Sequence, residues 1–257
     1  MFEQLTFDLE IWKLIFGMSS VVFGGFLRGF LGFGSALLIV PVLSIILSPL
    51  EAIVIFMLIE IPNTAYLMPS ACREFDAKSV FLMIVGIIIT VPFGALALIS
   101  IDPNIMRMVI SIMVLIMVGL LASGWKIKAG IGPISMFMTG LVGGLAHGAT
   151  GVGGPPLITV LLSKGDHDTR TRANIVISLN TLTIMGAITL LVFGAMSSQL
   201  FLASCILGPL YVASTAIGAR YFYSSRNILF RRAALLVLAL LATLIIASTL
   251  QFSEGVS

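Results

Sequence analysis

The sequence predicts an all-helical membrane protein that crosses the bilayer many times and contains two inverted repeats of five helical segments. Three features carry this prediction: a shortage of charge, a series of apolar runs, and a glycine-rich motif that occurs once in each half. Of the 257 residues, 59% are hydrophobic and 10% are charged, and the mean hydropathy is +1.16. Because a soluble domain carries about 25% charged residues, we expect lipid to cover much of this surface.

Apolar runs divide the chain into ten segments, five in each half. Most are close to the roughly 20 residues with which a helix crosses a bilayer. One run in each half is too short, since about 14 residues of helix reach only about 21 Å, and both short runs follow a glycine cluster. Each short helix therefore begins inside the membrane or re-enters it. The segments are 11–31, 35–48, 51–69, 79–99 and 104–123, then 131–149, 155–163, 172–193, 198–221 and 231–250.

Lysine and arginine residues decide between these arrangements, because they are enriched in cytoplasmic loops. If the short segments complete a crossing, ten crossings put both termini outside and nearly all basic loop residues inside. If they re-enter, the basic loops divide almost evenly between the two sides. We therefore predict ten crossings, with both termini on the outer side of the membrane. The residues placed inside are Arg73, Lys78, Lys126, Lys128, Lys164, Arg170, Arg172, Arg220, Arg226, Arg231 and Arg232.

The glycine-rich motif indicates an internal repeat. Residues 24–35 (GGFLRGFLGFGS) align with residues 143–154 (GGLAHGATGVGG) at a shift of 119, so that five glycines coincide and Arg28 falls on His147. Since each unit has five crossings, the second copy is inverted, an architecture found among secondary transporters. The predicted domains are a tail at 1–10, a first repeat at 11–126, a second repeat at 127–250 and a tail at 251–257.

The glycine motifs also predict an anion site. Glycine permits the positive φ angles with which a helix stops and restarts, and each restarted helix presents free N–H groups and the positive end of its dipole. Two such helices entering from opposite faces both point towards the middle, which favours an anion. The turn residues assigned to substrate binding are Gly32, Phe33, Gly34 and Ser35 in the first half, and Gly151, Gly153 and Gly154 in the second.

Two side chains beside the turns strengthen this prediction. Arg28 lies in an apolar segment, where arginine costs at least about 2.5–3.5 kcal/mol, and its guanidinium suits a sulfonate, sulfite or carboxylate. Snorkelling to the inner surface is its alternative role. His147 holds the matching place and can donate to the same anion or carry a proton. A hydrogen-bonded structural histidine is the alternative there.

Three further polar residues lie within apolar segments. Glu60 is a functional candidate because it is an intramembrane acid, either as the carrier of a coupled proton or as the counter-ion of Arg28. Asn63 and Asn180 hold approximately matching places in the two halves and are candidates for substrate binding. We expect no cofactor and no metal site, because the two cysteines are far apart and the charged loop at 164–172 is typical of a solvated loop.

The two turns resemble the paired signature of the sulfite exporter TauE/SafE family. The resemblance extends over about 11–250, and Ser35 departs from it, since many members have a third glycine there. It implies a permease of the bacterial inner membrane that often exports sulfite, organosulfonates or related small anions. In such a membrane the two outer termini would be periplasmic. The residues that carry it are GFGSALLIVPVLS at 32–44 with Pro49, Glu51 and Ala52, and GxGGPPL at 151–157 with Arg170, Arg172 and Ala173.

The sequence therefore favours a secondary transporter of a small anion that works by alternating access, with proton coupling left open. An anion channel with the same turns is one alternative. An intramembrane hydrolase using Ser35 and His147 is another, and it is disfavoured because Ser35 aligns with Gly154 instead of a second serine. Nucleic acid is excluded as a partner, since the basic residues occupy short loops and not one face. The oligomeric state, monomer or homodimer, is open.

Overall fold

The computed structural model describes residues 11–123, 131–166 and 168–224. Within these ranges every regular element is an α-helix. The helices are α1 (Ile11–Leu31), α2 (Ser35–Ile46), α3 (Pro49–Glu74), α4 (Ala77–Ser100), α5 (Pro103–Ser123), α6 (Pro133–Thr150), α7 (Gly154–Ser163), α8 (Asp168–Val192) and α9 (Ser198–Ser224).

The helices form a membrane-embedded bundle. Among the described helices, α1, α4, α5, α8 and α9 are long and apolar enough to cross a bilayer. Large apolar side chains on the outside, such as Phe81, Ile134 and Val192, are more than half exposed, as expected for a surface that faces lipid. The prediction of an all-helical, polytopic membrane protein is confirmed. The tenth predicted segment, 231–250, lies outside the described residues.

Glycine turns separate α1 from α2 and α6 from α7. Gly32 and Gly34 have φ angles of +80° and +98°, and Gly151 has a φ angle of +71°, a conformation that residues with a Cβ atom rarely adopt. The helices that restart after these turns, α2 and α7, contain 12 and 10 residues. Both are too short to cross a bilayer alone. The predicted helix breaks and short helices are confirmed.

The closest helix crossings join helices from different halves of the chain. α4 packs against α6, and α1 packs against α9. A Cβ atom on Gly148 of α6 would overlap the carbonyl oxygen of Val91 in α4. A Cβ atom on Gly29 of α1 would likewise overlap the carbonyl oxygen of Thr215 in α9. Glycine at these two matched positions of the motif therefore lets the helix backbones touch.

The two crossings correspond in detail. A Cβ atom on Gly94 of α4 would overlap the carbonyl oxygen of Leu145. A Cβ atom on Gly218 of α9 would overlap that of Phe26, and the shift of 119 residues brings Phe26 onto Leu145. The α1–α9 crossing and the α4–α6 crossing therefore place glycines and carbonyl oxygens in contact at corresponding positions of the two halves. The inversion of the repeats stays a prediction, because the fifth segment of the second half is outside the described residues.

Each short helix is embedded in protein. Ile39 of α2 belongs to an apolar core with Ile53 of α3, and Leu157 of α7 belongs to a second core with Ile87 of α4. All four side chains are fully buried. This embedding is required because a helix end inside a membrane exposes backbone polar groups that lipid cannot satisfy.

Substitution of Gly148 by alanine tests the close crossing of α4 and α6. The added methyl group has no room, and such overpacking typically costs about 1–3 kcal/mol. We therefore expect Gly148→Ala to lower the Tm of the detergent-solubilised protein, measured by thermal unfolding. The matched control is Gly119→Ala in α5, where a Cβ atom meets nothing within 4 Å and alanine raises helix propensity by about 1 kcal/mol. An equal fall in Tm for both variants would contradict the account of this crossing.

Candidate functional site

The two short helices begin at one cavity. The cavity has a volume of about 460 Å³ including its opening, and its wall contains the first residues of both α2 and α7. Of the residues that the sequence assigned to the site, those in the cavity wall are Arg28, Phe33, Gly34, Ser35, Glu60, His147, Gly151 and Gly154.

The start of α2 offers more free hydrogen-bond donors than the start of α7. The first four N–H groups of a helix have no partner within it, and no side chain caps either helix. In α7 two of these places are taken by Pro155 and Pro156, which have no N–H. The positive end of α2 is therefore the stronger anion-binding element of the cavity.

Arg28 is held inside the protein by its neighbours. Its guanidinium NH1 donates to the carbonyl oxygen of Gly32 at 2.7 Å, and its NH2 forms an ion pair with Glu60 Oε1 at 2.7 Å. The two residues are 7% and 2% exposed. Snorkelling is therefore not the role of Arg28, and Glu60 is its counter-ion. The guanidinium Nε has no partner among the described residues.

Tyr211 of α9 completes this network and was not among the predicted site residues. Its hydroxyl donates to Glu60 Oε2, and it also interacts with the Ser35 side chain. Tyr211 is fully buried. In the sequence it is a single tyrosine within an apolar run, outside the glycine motif. The one available signal is that a buried tyrosine hydroxyl needs a partner, and this signal does not identify the partner.

His147 occupies an equivalent place at the second turn. It is 5% exposed, and its imidazole donates to the backbone of Gly151, four residues ahead, as Arg28 does to Gly32. Each matched side chain thus holds the left-handed glycine of its own turn. His147 Nε2 has no partner among the described residues. Arg28 and His147 both hold a turn and both leave one ring or guanidinium nitrogen unpaired.

Asn63 and Asn180 are not in the cavity wall. Asn63 Nδ2 donates to Thr215 Oγ1 at 3.4 Å and so links α3 to α9. Asn180 Nδ2 lies 3.4 Å from the carbonyl oxygen of Thr64 and so links α8 to α3. Both side chains are buried, and in this structure they connect helices. Gly32 and Gly153 also lie outside the wall, next to residues that form it.

Cysteines and charged loop residues lie away from the cavity wall in the part of the chain that the structure describes. The described residues contain no cluster of three histidine, cysteine, aspartate or glutamate side chains that could hold a metal ion. Cys72 and Cys205 are free and exposed. In the charged loop, Lys164 binds Asp166 at 2.9 Å and also contacts Ser79. The contact with Ser79 joins this loop to the first turn of α4.

Comparison with known proteins identifies the family. Residues 18–245 match the model of the family described as Sulfite exporter TauE/SafE. A protein of Cupriavidus necator named "Probable sulfite/organosulfonate exporter TauE" is 25% identical over 208 residues, which are 77% of this chain and 80% of that protein. No solved structure matches this chain significantly. Members of the family are membrane transporters and not enzymes, so the hydrolase hypothesis is set aside. Because the match extends over most of its length, and as its two turns predicted, the chain belongs to the sulfite exporter TauE/SafE family.

Proposed function

We propose that this protein is a secondary transporter that exports a small oxyanion, sulfite or an organosulfonate, across the bacterial inner membrane by alternating access. The observation that carries the proposal is the cavity at which both short helices begin, with Arg28 and His147 in its wall. The name of the Cupriavidus necator relative supports the substrate class. The anion site comprises the start of α2, the start of α7 and these two side chains.

The charge balance of the cavity defines how an anion is held. The only charged side chains in its described wall are Arg28 and Glu60, which form an ion pair and cancel. Attraction for an anion therefore comes from the helix ends and from unpaired N–H groups, among them Arg28 Nε. Preformed donors of this kind replace the hydration shell that the anion leaves behind. A site without net charge also releases its ligand readily, as transport requires.

Alternating access needs rigid units that move relative to one another. We assign the units to the α1–α9 pair and the α4–α6 pair, since backbone contact at Gly29 and Gly148 leaves no space for sliding within a pair. Each pair continues through a glycine turn into one of the short helices. Rocking of the pairs would therefore shift the starts of α2 and α7 relative to each other and open the anion site to one side at a time.

Proton coupling belongs to the same proposal. Glu60 and His147 are the titratable groups in the described cavity wall besides Arg28, and arginine stays protonated in proteins. A proton that moves with the anion would reduce the charge carried across the membrane.

Anion flux in proteoliposomes tests the proposed function. Purified protein is reconstituted, and uptake of labelled sulfite, a taurine-like sulfonate and a small carboxylate is measured against protein-free liposomes. We expect movement of at least one of these anions, and counterflow, in which internal unlabelled anion drives transient accumulation of external label. A channel gives flux without counterflow, and absence of any flux overturns the proposal.

Variants of the buried ion pair test separately whether Arg28 stabilises the fold and whether it takes part in anion transport. Removal of one partner of a buried ion pair typically costs about 3–5 kcal/mol, whereas replacement of both by apolar residues is often neutral. We expect Arg28→Met alone to lower the Tm, and the double variant Arg28→Met, Glu60→Met to recover most of it. Both variants should lack anion transport, because the anion site has lost a donor.

The matched control for this experiment is Arg107→Met. Arg107 also contacts α2, donating from Nε to the carbonyl oxygen of Ser44 at 2.6 Å, but it lies outside the cavity wall. Once inserted, this variant should retain transport. Normal transport by the double variant would exclude Arg28 from the anion site.

A further inference from the structure

We infer that the proton coupled to transport is carried by His147 Nε2, while Glu60 stays ionised as the permanent counter-ion of Arg28. The inference rests on the proposed anion transport and assigns its coupling ion. Glu60 and His147 are the two candidates in the described cavity wall, and the hydrogen bonds that each already makes distinguish them.

Glu60 is bound at both oxygens to donors that favour its ionised form. Its Oε1 accepts from Arg28 Nη2 at 2.7 Å, and its Oε2 accepts from the Tyr211 hydroxyl. A proton added to the carboxylate would remove the negative charge that strengthens both bonds. It would also leave the guanidinium, which is 7% exposed, without its counter-ion, and an unpaired buried charge is costly.

His147 Nε2 has the opposite environment. The imidazole donates to the Gly151 backbone, so in the neutral ring the lone pair resides on Nε2, which has no partner among the described residues. A proton added there breaks no existing bond. It creates a donor on a side chain that lines the cavity, and a bound anion provides the acceptor.

Among the described residues around His147 there is no fixed acid to pair with an imidazolium. α4, α5, α7 and α8 pack against α6, and none of them contributes a charged or titratable side chain to the described cavity wall. Arg107 of α5 binds the carbonyl oxygen of Ser44 in α2 instead. Glu60 of α3 is committed to Arg28 of α1, and Tyr211 of α9 binds the same carboxylate. The bound anion is therefore the group that would compensate a charged His147.

The repeat is consistent with this assignment. The shift of 119 residues that brings Arg28 onto His147 brings Glu60 onto Leu179, which lines the same cavity. The shift of 117 residues that matches Asn63 with Asn180 brings Glu60 onto Ile177 instead. In either alignment the acid that pairs with Arg28 corresponds to an apolar residue in the second half. The substrate anion would therefore be the counter-ion of a protonated His147, as Glu60 is the counter-ion of Arg28.

Anion and proton consequently favour each other's binding. Each supplies the opposite charge that the other needs, and such mutual dependence is reciprocal. Transport of a monoanion with one proton is electroneutral. A pH gradient then drives the anion towards the alkaline side. Export from an alkaline interior therefore requires an internal anion concentration high enough to exceed this opposing gradient.

The first test uses the unaltered protein and infrared difference spectroscopy. Methanesulfonate is added to the reconstituted protein, because a sulfonate stays ionised and cannot itself bring a proton. We expect bands of a protonated imidazole without the carbonyl band of a protonated carboxylic acid. A carboxylic acid band that Glu60→Gln removes would place the proton on Glu60 and overturn the inference.

The second test measures how far a pH gradient accumulates labelled methanesulfonate in proteoliposomes. With one proton per anion, an inside-alkaline gradient of about one pH unit supports about tenfold accumulation, since a tenfold ratio corresponds to about 1.4 kcal/mol. We expect His147→Gln to show slower counterflow and no accumulation. The matched control is Thr181→Val in α8, which lies outside the cavity wall and whose hydroxyl donates to the carbonyl oxygen of Ile177 at 2.8 Å. This variant should accumulate the anion as the unaltered protein does.

The accumulation ratio is an equilibrium quantity, so a slow variant is not mistaken for an uncoupled one. Tenfold accumulation by His147→Gln would contradict the inference. Counterflow without pH-driven accumulation in the unaltered protein would also overturn it while leaving the proposed anion transport intact. A complete lack of flux would remove the proposed function itself. If His147→Gln fails to insert, the spectra of the unaltered protein decide.

Discussion

The fold depends on the bonding of the backbone where two helices stop inside the protein. A break in a membrane helix releases carbonyl and N–H groups that lipid cannot satisfy. At Gly32 and Gly151 the released backbone is bound by Arg28 and His147, each four residues earlier. The N–H groups at the start of the next helix, which no side chain caps, stay available to a ligand. One constraint therefore produces both the stable turn and the donor-lined cavity.

The two turns share geometry but differ in charge. The glycine crossings α1–α9 and α4–α6 match residue by residue, whereas the Arg28–Glu60–Tyr211 network has no equivalent around His147. The two turns therefore give the cavity one side with an ion pair and one side with a titratable ring. In the proposed transporter this asymmetry would let the cavity bind a single ligand in a defined orientation.

Much of the fold was predictable from the sequence because composition and glycine patterns act locally. The helix breaks at residues 32–34 and 151–153 follow from glycine alone. The pairing of Arg28 with Glu60 was one of two roles considered for Glu60, since sequence gives depth in the membrane but not the direction of a side chain. For the same reason Asn63 and Asn180 were assigned to the site, although they connect helices. Tyr211 lay outside every pattern, because its partner is 151 residues away.

The neutral ion pair also restricts the charge of the ligand. If Arg28 were unpaired, the cavity could compensate a dianion with Arg28 and a protonated His147 together. With Glu60 bound to Arg28 at 2.7 Å, only His147 can add a positive charge, and the helix ends provide partial charges of about half a unit each. A second negative charge would be buried without compensation, at a cost of several kcal/mol. On the proposed mechanism the site would therefore favour a monoanion, such as a sulfonate or hydrogensulfite, over a dianion, because Glu60 neutralises Arg28.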